Sequence, residues 1–241
     1  MRLAKYLAER GVSSRRGAER LIAEGRVRLA GAVVRDPALE VSDGAPVTVD
    51  GRPVGRRPPR LLYMVNKPIG VLSTAADPFG RPTVVDLVPS PHRLYPVGRL
   101  DMDSSGLLLL TNDGELAYRL THPSFAVPRR YLVEVANPPL REAALARLRR
   151  GVLLEDGPTA PAKVRRLDEK RFEIELREGR NRQVRRMSAA VGHPVRSLKR
   201  VAFGPLRLGR LAPGRYRALS PGEVAALLAL TAGKKRPTGG R

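Results

Sequence analysis

The sequence predicts an α+β protein in two parts: a small helix-plus-strand domain, then a larger domain of mixed strands and helices. Three observations carry this expectation. Residues 1–51 hold two short helical patterns followed by brief alternating strands between glycines. The stretch RPVGRRPPR at 52–60 separates them from the rest. Beyond it, period-two and fully apolar strand patterns mix with helical ones, without the regular strand–helix–strand rhythm of a parallel α/β fold.

In the small domain, Leu3, Ala4, Leu7 and Ala8 share one helical face, and Gly11 stops that helix. Ser13 and Ser14 offer an N-cap to a second helix at about 15–24, which Gly25 ends. Arg16 and Arg20, at i and i+4, project from one face of it. RVRL at 26–29 alternates like a strand, and glycines 31, 44 and 51 mark turns around the short strand VTV at 47–49. Arg2, Lys5, Arg15, Arg16, Arg20, Arg26 and Arg28 are the predicted RNA contacts of this domain. The prolines of 52–60 lack amide donors and favour extended backbone, so a linker without a packed element is expected there.

The larger domain is expected over 61–231. A strand at 61–65 is interrupted by KPIG. LLLL at 107–110 reads as a buried strand ending at the turn Asn112-Asp113-Gly114. YLVEV at 131–135 and FEIEL at 172–176 alternate with period two. Helices are expected at about 141–150 and 182–191. Ser220-Pro221-Gly222-Glu223 carries the N-cap, Pro and Glu spacing that opens a last helix, to 230. Residues 232–241, AGKKRPTGGR, form a basic tail predicted to be disordered.

Composition narrows the partner. Lys and Arg number 45 against 23 Asp and Glu, a formal net charge of +22, beside 42% hydrophobic residues. That apolar fraction supports a core and excludes a disordered polycation, and cations spread along the whole chain predict a surface that faces nucleic acid. Without cysteine there is no disulfide framework and no thiolate zinc site. His92, His122 and His193 are dispersed, so no metal site is expected. No apolar run approaches the ~20 residues of a membrane span, and the N-terminus lacks a signal-peptide pattern. A cytoplasmic protein without membrane contact is expected.

Two segments carry the residue types that chemistry needs. Asp101 lies in a loop just before the apolar run at 107–110, with Gly98 and Gly106 freeing the backbone on either side. Asp103 competes with it on spacing alone, whereas Asp113 is accounted for by its turn. Arg99 is placed to reach phosphate or to occupy space in a base stack. The second segment, EGRNRQVRRM at 178–187, runs from a strand end through a glycine turn into a helix, with Arg180, Asn181, Arg182, Gln183, Arg185 and Arg186. Arginine in a first helical turn opposes the helix dipole, so this cluster calls for an anion. Tyr131, after Arg129 at a strand start, is suited either to core packing or to stacking on a base with its hydroxyl exchanging a proton.

Taken together, PVGRLDMDSSGLLLLTNDGELAYRLTHP, RRYLVEV, EGRNRQVRRMSAAVGHPV and the opening KPIGVLSTAADPFGRPTVVDLV closely resemble the motif regions of the ribosomal RNA pseudouridine synthase family of the RsuA/RluB type. The first sixty residues resemble the RNA-binding domain named after ribosomal small-subunit protein four. The resemblance implies the pseudouridine synthase fold, a mixed, mainly antiparallel sheet flanked by helices. It implies that a uridine of ribosomal RNA has its base detached, rotated and reattached through carbon five, with no cofactor and no metal.

Asp101 matches the family's essential carboxylate, either nucleophile at the anomeric carbon or base of a glycal route. Tyr131 matches the stacking tyrosine and proton acceptor. Arg185 matches the arginine expected to pair with Asp101, Leu198 the apolar residue under the base, and Arg99 the residue that fills the gap left by flipping. Arg129 stands where many relatives have lysine. With Arg180, Asn181, Arg182, Gln183 and Lys67, it completes the expected substrate contacts. The DPFGRPTVVDLV version resembles the large-subunit branch, so large-subunit 23S ribosomal RNA is the favoured partner of a monomeric enzyme. A small-subunit 16S target and a non-catalytic ribosome-assembly factor are the alternatives.

Overall fold

Leu3, Tyr6, Leu7, Ala18 and Ile22 come together because helices α1 (Leu3–Glu9) and α2 (Arg15–Ala23) each turn one apolar stripe inward. The computed structural model describes residues 1–232, so the tail expected at 232–241 lies, from 233 on, outside the described residues. The chain divides into two units. The first is Met1–Leu61 with Ser90–Arg93 and Asn112–Gly114, and the second is Leu62–Pro89, Leu94–Thr111 and the chain from Glu115 on.

In the first unit the Ser14 side chain accepts from the Gly17 amide at 2.9 Å, capping α2 as expected. A four-stranded sheet follows, in the order β2 (Ala32–Val33), β1 (Val27–Leu29), β3 (Val47–Val49), β4 (Arg52–Pro53). The last strand corrects the expectation of a linker beginning at 52. Asp50 and Gly51, at φ 49° and 77°, close a hairpin that pairs Thr48 with Pro53 and Val49 with Arg52. The Asp-Gly pair is a strong hairpin signal, and a proline is tolerated on an edge strand, where no ladder amide is missed.

The second unit is built on a nine-stranded sheet. Its chain order runs β5 (Leu62–Lys67), β6 (Tyr95–Val97), β7 (Ser105–Thr111), α3 (Gly114–Thr121), β8 (Arg129–Val135) and α4 (Glu142–Arg150). A small hairpin of β9 (Leu153–Leu154) and β10 (Gly157–Pro158) leads to β11 (Lys163–Arg166), β12 (Arg171–Leu176) and α5 (Gln183–Ala190). Then come β13 (Val195–Phe203), β14 (Leu206–Arg207), β15 (Tyr216–Ala218) and α6 (Pro221–Thr231). Ser220 and Glu223 form the predicted capping box of α6. Helix α3 was not expected, because the Asn112-Asp113-Gly114 signal that marks a turn also starts a helix.

Spatially the strands run β11-β12-β8-β13-β7-β5-β15, with β6 on β7 and β14 on β13. The sheet is antiparallel except where β13 meets β7 in a two-residue parallel register, Lys199 with Ser105 and Arg200 with Gly106. A separate core lies on each side of that seam. Met64, Leu107, Leu109, Leu116, Leu120 and Leu227 form one, and Val133, Leu145, Phe172, Ile174, Met187 and Leu198 form the other. The sheet thus consists of two half-sheets, each with its own apolar layer. No described helix is long and apolar enough to cross a membrane.

Candidate active site

The site lies where the half-sheets join. A Cβ at Gly106, whose φ is +108°, would stand 2.3 Å from the Arg200 carbonyl oxygen and 2.6 Å from its nitrogen, so only glycine lets the strands meet here. The loop before β7 therefore ends beside β13, and β13 in turn pairs Arg200 with Tyr131 of β8. A pocket of about 360 Å³ opens between them, lined among others by Arg99, Asp101, Tyr131, Arg182, Leu198 and Arg200.

Asp101 is partly exposed, and its loop is pinned at three points. The Ser73 hydroxyl donates to the Leu100 carbonyl at 2.7 Å and accepts from the Leu100 amide at 3.1 Å. The Gly70 amide donates to the Met102 carbonyl at 2.8 Å, and the Ser104 amide to that of Asp101 at 3.1 Å. These bonds fix where the carboxylate stands at the pocket.

The arginine segment behaves differently from expectation. The cation beside Asp101 is Arg182, its Nη1 3.7 Å from Oδ2. Arg185, expected to pair with Asp101, instead places Nη2 3.2 Å from Asp103 Oδ1 and 2.9 Å from the Asp103 carbonyl oxygen. Arg182 Nη2 also reaches Asp103, at 3.0 Å. Helix α5 starts at Gln183, with Arg182 before it at φ 46°, and this backbone turn swings Arg182 to the Asp101 side while Arg185 faces Asp103. Burial pushes the Asp103 carboxyl up, but the hydrogen bond from Arg182 and the charges of Arg185 and Arg182 outweigh it and hold it below the usual range.

Two other expected contacts turn inward. The Arg180 guanidinium donates to the carbonyls of Asp156, Gly157 and Pro158. Gln183, buried, accepts from the Arg180 amide at 3.1 Å and donates to Glu178. Both shape the turn, although their side chains also line the pocket. Arg186 grips Asp156 with two 2.9 Å bonds and draws its carboxyl down to about 2. The anions that the arginine cluster called for are thus protein carboxylates, Asp103 and Asp156. Asn181 and Arg99 are exposed and line the pocket.

Lys67 is a further departure. It is fully buried, its Nζ donating to the Pro68 carbonyl at 2.8 Å, and it is absent from the pocket wall. Burial pulls its pKa down to about 8, against the opposing pull of Asp101 and Asp103.

Sequence reasoning missed Arg200. It is 2% exposed, donates Nε to the Leu107 carbonyl at 2.6 Å and leaves Nη2 buried without a hydrogen-bond partner among the described residues. Arg129 lies nearby, both guanidinium carbons falling between 5 and 6 Å from the Phe203 ring centre, at 5.3 Å for Arg200 and 5.6 Å for Arg129. Burial lowers the pKa of both, and the Tyr131 phenol opposes that shift in each. A buried and a half-buried cation thus lie beside the tyrosine, and Leu198 lines the same pocket while packing into one core.

In the first unit, Arg15, Arg16 and Arg20 are exposed, and no ion pair among the described residues engages them. Arg2 is exposed too, and Arg28 donates to the Gly31 carbonyl at 2.9 Å. Lys5 pairs with Glu9 at 3.5 Å. Arg26 is less available than expected, since it bonds Asp50 through Nε and Nη2 at 2.9 and 2.6 Å and Glu24 at 3.2 Å.

Residues 61–190 match the family described as RNA pseudouridylate synthase, and residues 1–47 match the S4 domain. The chain belongs to the RNA pseudouridylate synthase family. Among curated pseudouridine synthases it is 46% identical to the ribosomal large subunit pseudouridine synthase B of Bacillus subtilis, over 95% of this chain and 96% of that one. An uncharacterized RNA pseudouridine synthase of Aquifex aeolicus is 44% identical over 94% and 93% of the two chains. A solved pseudouridylate synthase superposes with a TM-score of 0.70 at 33% identity, covering 94% of this chain and 99% of that one. As a pseudouridylate synthase, the chain is an isomerase that acts on RNA.

Proposed function

We propose that the chain converts a uridine of ribosomal RNA, the large-subunit RNA foremost, to pseudouridine, with Asp101 as the catalytic carboxylate. The observation that carries this is the placement of Asp101. It is partly exposed at a pocket that also holds Tyr131, Leu198 and Arg182, on a loop tethered through Ser73 and Gly70. The names of the relatives from Bacillus subtilis and Pseudomonas aeruginosa, both large-subunit synthases, support the choice of RNA.

A stacked uridine exposes neither face of its glycosidic bond, so the base must leave the helix first. Arg99, exposed at the rim, takes the space it vacates. In the pocket the bond from C1′ to N1 breaks, its electron pair leaving with the uracil. Asp101 either bonds C1′, and is expelled when C5 takes its place there, or removes a ribose proton and returns it at that step. The base turns, C5 bonds C1′, and the proton lost from C5 is balanced by one gained at N1. Tyr131 lies against the base and accepts the C5 proton. Arg182 and Lys67 keep positive charge near Asp101, and Leu198 supports the base from one core.

Residues 1–51 hold the RNA through Arg2, Arg15, Arg16 and Arg20. We place the enzyme in the cytoplasm, where ribosomal RNA is made, and as a monomer, since Asp101, Tyr131, Arg182 and Leu198 all come from one chain. The test is to map pseudouridines in both ribosomal RNAs from cells lacking the gene, complemented with wild type or Asp101→Ala. One large-subunit site should vanish with the gene and return only with wild type. Restoration by Asp101→Ala sinks the assignment of Asp101, and a lost small-subunit site moves the target.

A further inference from the structure

The sequence has four phenylalanines. Phe125, Phe172 and Phe203 are at most 2% exposed, whereas Phe79 is 79% exposed, the most of any large apolar side chain among the described residues. Its surroundings are built. The Asp77 carboxylate, 4% exposed, accepts from the Phe79 amide at 3.0 Å, from the Arg81 amide at 3.0 Å and from Arg81 Nε and Nη2 at 3.2 and 2.7 Å. Gly80 supplies the left-handed backbone, at φ +70°. The Arg81 guanidinium carbon then stands 5.2 Å from the Phe79 ring centre. The turn holds the ring out in solvent with a planar cation beside it.

This turn is the tip of an arm fastened to the catalytic loop. Its two legs are joined by Leu72 N to the Pro82 carbonyl at 2.9 Å and Val84 N to the Leu72 carbonyl at 2.8 Å. Ser73 and Gly70, on the outgoing leg, are the tethers to Leu100 and Met102 on either side of Asp101. Ile69 and Met102, at that junction, are also exposed, at 63% and 51%.

We infer that the turn from Asp77 to Arg81 is a base-stacking platform, on which Phe79 receives an unpaired base of the same RNA that carries the target uridine. The inference rests on the proposed function and adds a specificity contact to it. Two features favour RNA as the occupant. The platform is anchored to the loop that holds Asp101, and it belongs to a chain of net charge +22. An aromatic ring with a guanidinium beside it matches the π face of any base. Asp77 already neutralises Arg81, so the platform offers a flat surface rather than free charge. It reads whether a base is unstacked and available and leaves phosphate to other residues.

The test uses the full chain and transcripts of ribosomal RNA segments. Binding is measured at two salt concentrations, and pseudouridine formation in single turnovers at low and saturating enzyme. Phe79→Ala and Phe79→Leu should weaken Kd about 5- to 100-fold, the range expected for one stacked base. The loss should be equal at both salts, the saturating rate should stay within about twofold, and Phe79→Trp should match wild type. Wild-type Kd in Phe79→Ala, or full affinity in Phe79→Leu, overturns the platform and leaves Phe79 to a protein partner. If wild type forms no pseudouridine while Phe79→Ala still loses affinity, the proposed function fails and the platform stands.

Discussion

Gly106 and Arg200 face each other across the one parallel pairing that the large sheet makes among the described residues, so closely that a methyl group on Gly106 would lie 2.3 Å from the Arg200 carbonyl oxygen. Gly106→Ala would also force a side chain onto a backbone at φ +108°. Clash and strain together should cost about 3 kcal/mol or more, read from the urea midpoint.

Arg200 itself separates stability from activity. Replacing a buried, half-satisfied cation by an apolar residue of similar volume is often close to neutral. Arg200→Met should therefore keep its unfolding free energy within about 2 kcal/mol of wild type, while single-turnover isomerisation slows because Tyr131 loses a flanking positive charge. Unfolding and turnover shifted in proportion would refute that separation.

Asp101 and Asp103 are the two carboxylates paired with Arg182 and Arg185, and they should differ sharply. Asp101→Ala should abolish pseudouridine formation with RNA affinity retained. Asp103→Ala should leave measurable turnover, since it removes a partner of Arg182 and Arg185 and not the reacting group. Equal loss in both would remove the distinction.

Lys67 gives a pH signature. Its pKa is about 8 in the folded protein against 10.5 for an ordinary lysine. Below pH 8 both folded and unfolded chains carry the proton, so the full cost of burying the charge is present. Between pH 8 and 10.5 the unfolded chain binds more protons, and stability contributed at this site rises with pH. Lys67→Met should exceed wild type by at most about 3 kcal/mol below pH 8, with the gap narrowing toward pH 10.5 in urea titrations.

Arg15, Arg16 and Arg20 should act through charge alone. Replacing all three by alanine should lower the slope of log affinity against log salt by about 2 to 3. The saturating rate should be unchanged.

Much of this was readable in the residues, and the exceptions share a cause. The Asp101 loop, the Tyr131 strand and the capped last helix follow from glycine placement, period-two patterning and Ser–Glu spacing. Arg200 did not, because a cation in VRSLKRVAF reads as the wet side of a strand until that strand proves central. Arg180 and Gln183 looked free because sequence cannot show that Asp156 and Glu178 fold back onto them. Lys67 was misjudged similarly, since a lysine before a proline gives no sign of burial. The strand at 52–53 was hidden by attention to its proline over the Asp-Gly turn before it.

Arg182 and Arg185 are already occupied by a carboxylate of the protein. With Asp103 held between them, a phosphate that reached these arginines would compete with a carboxylate covalently part of the same loop. The binding energy there is a difference between two ion pairs rather than the sum of new ones. A lone nucleotide competes poorly with a tethered rival, whereas a polymer fixed elsewhere on the protein presents its phosphate at high local concentration. Such competition would favour long RNA over free nucleotides without any contact dedicated to rejecting them.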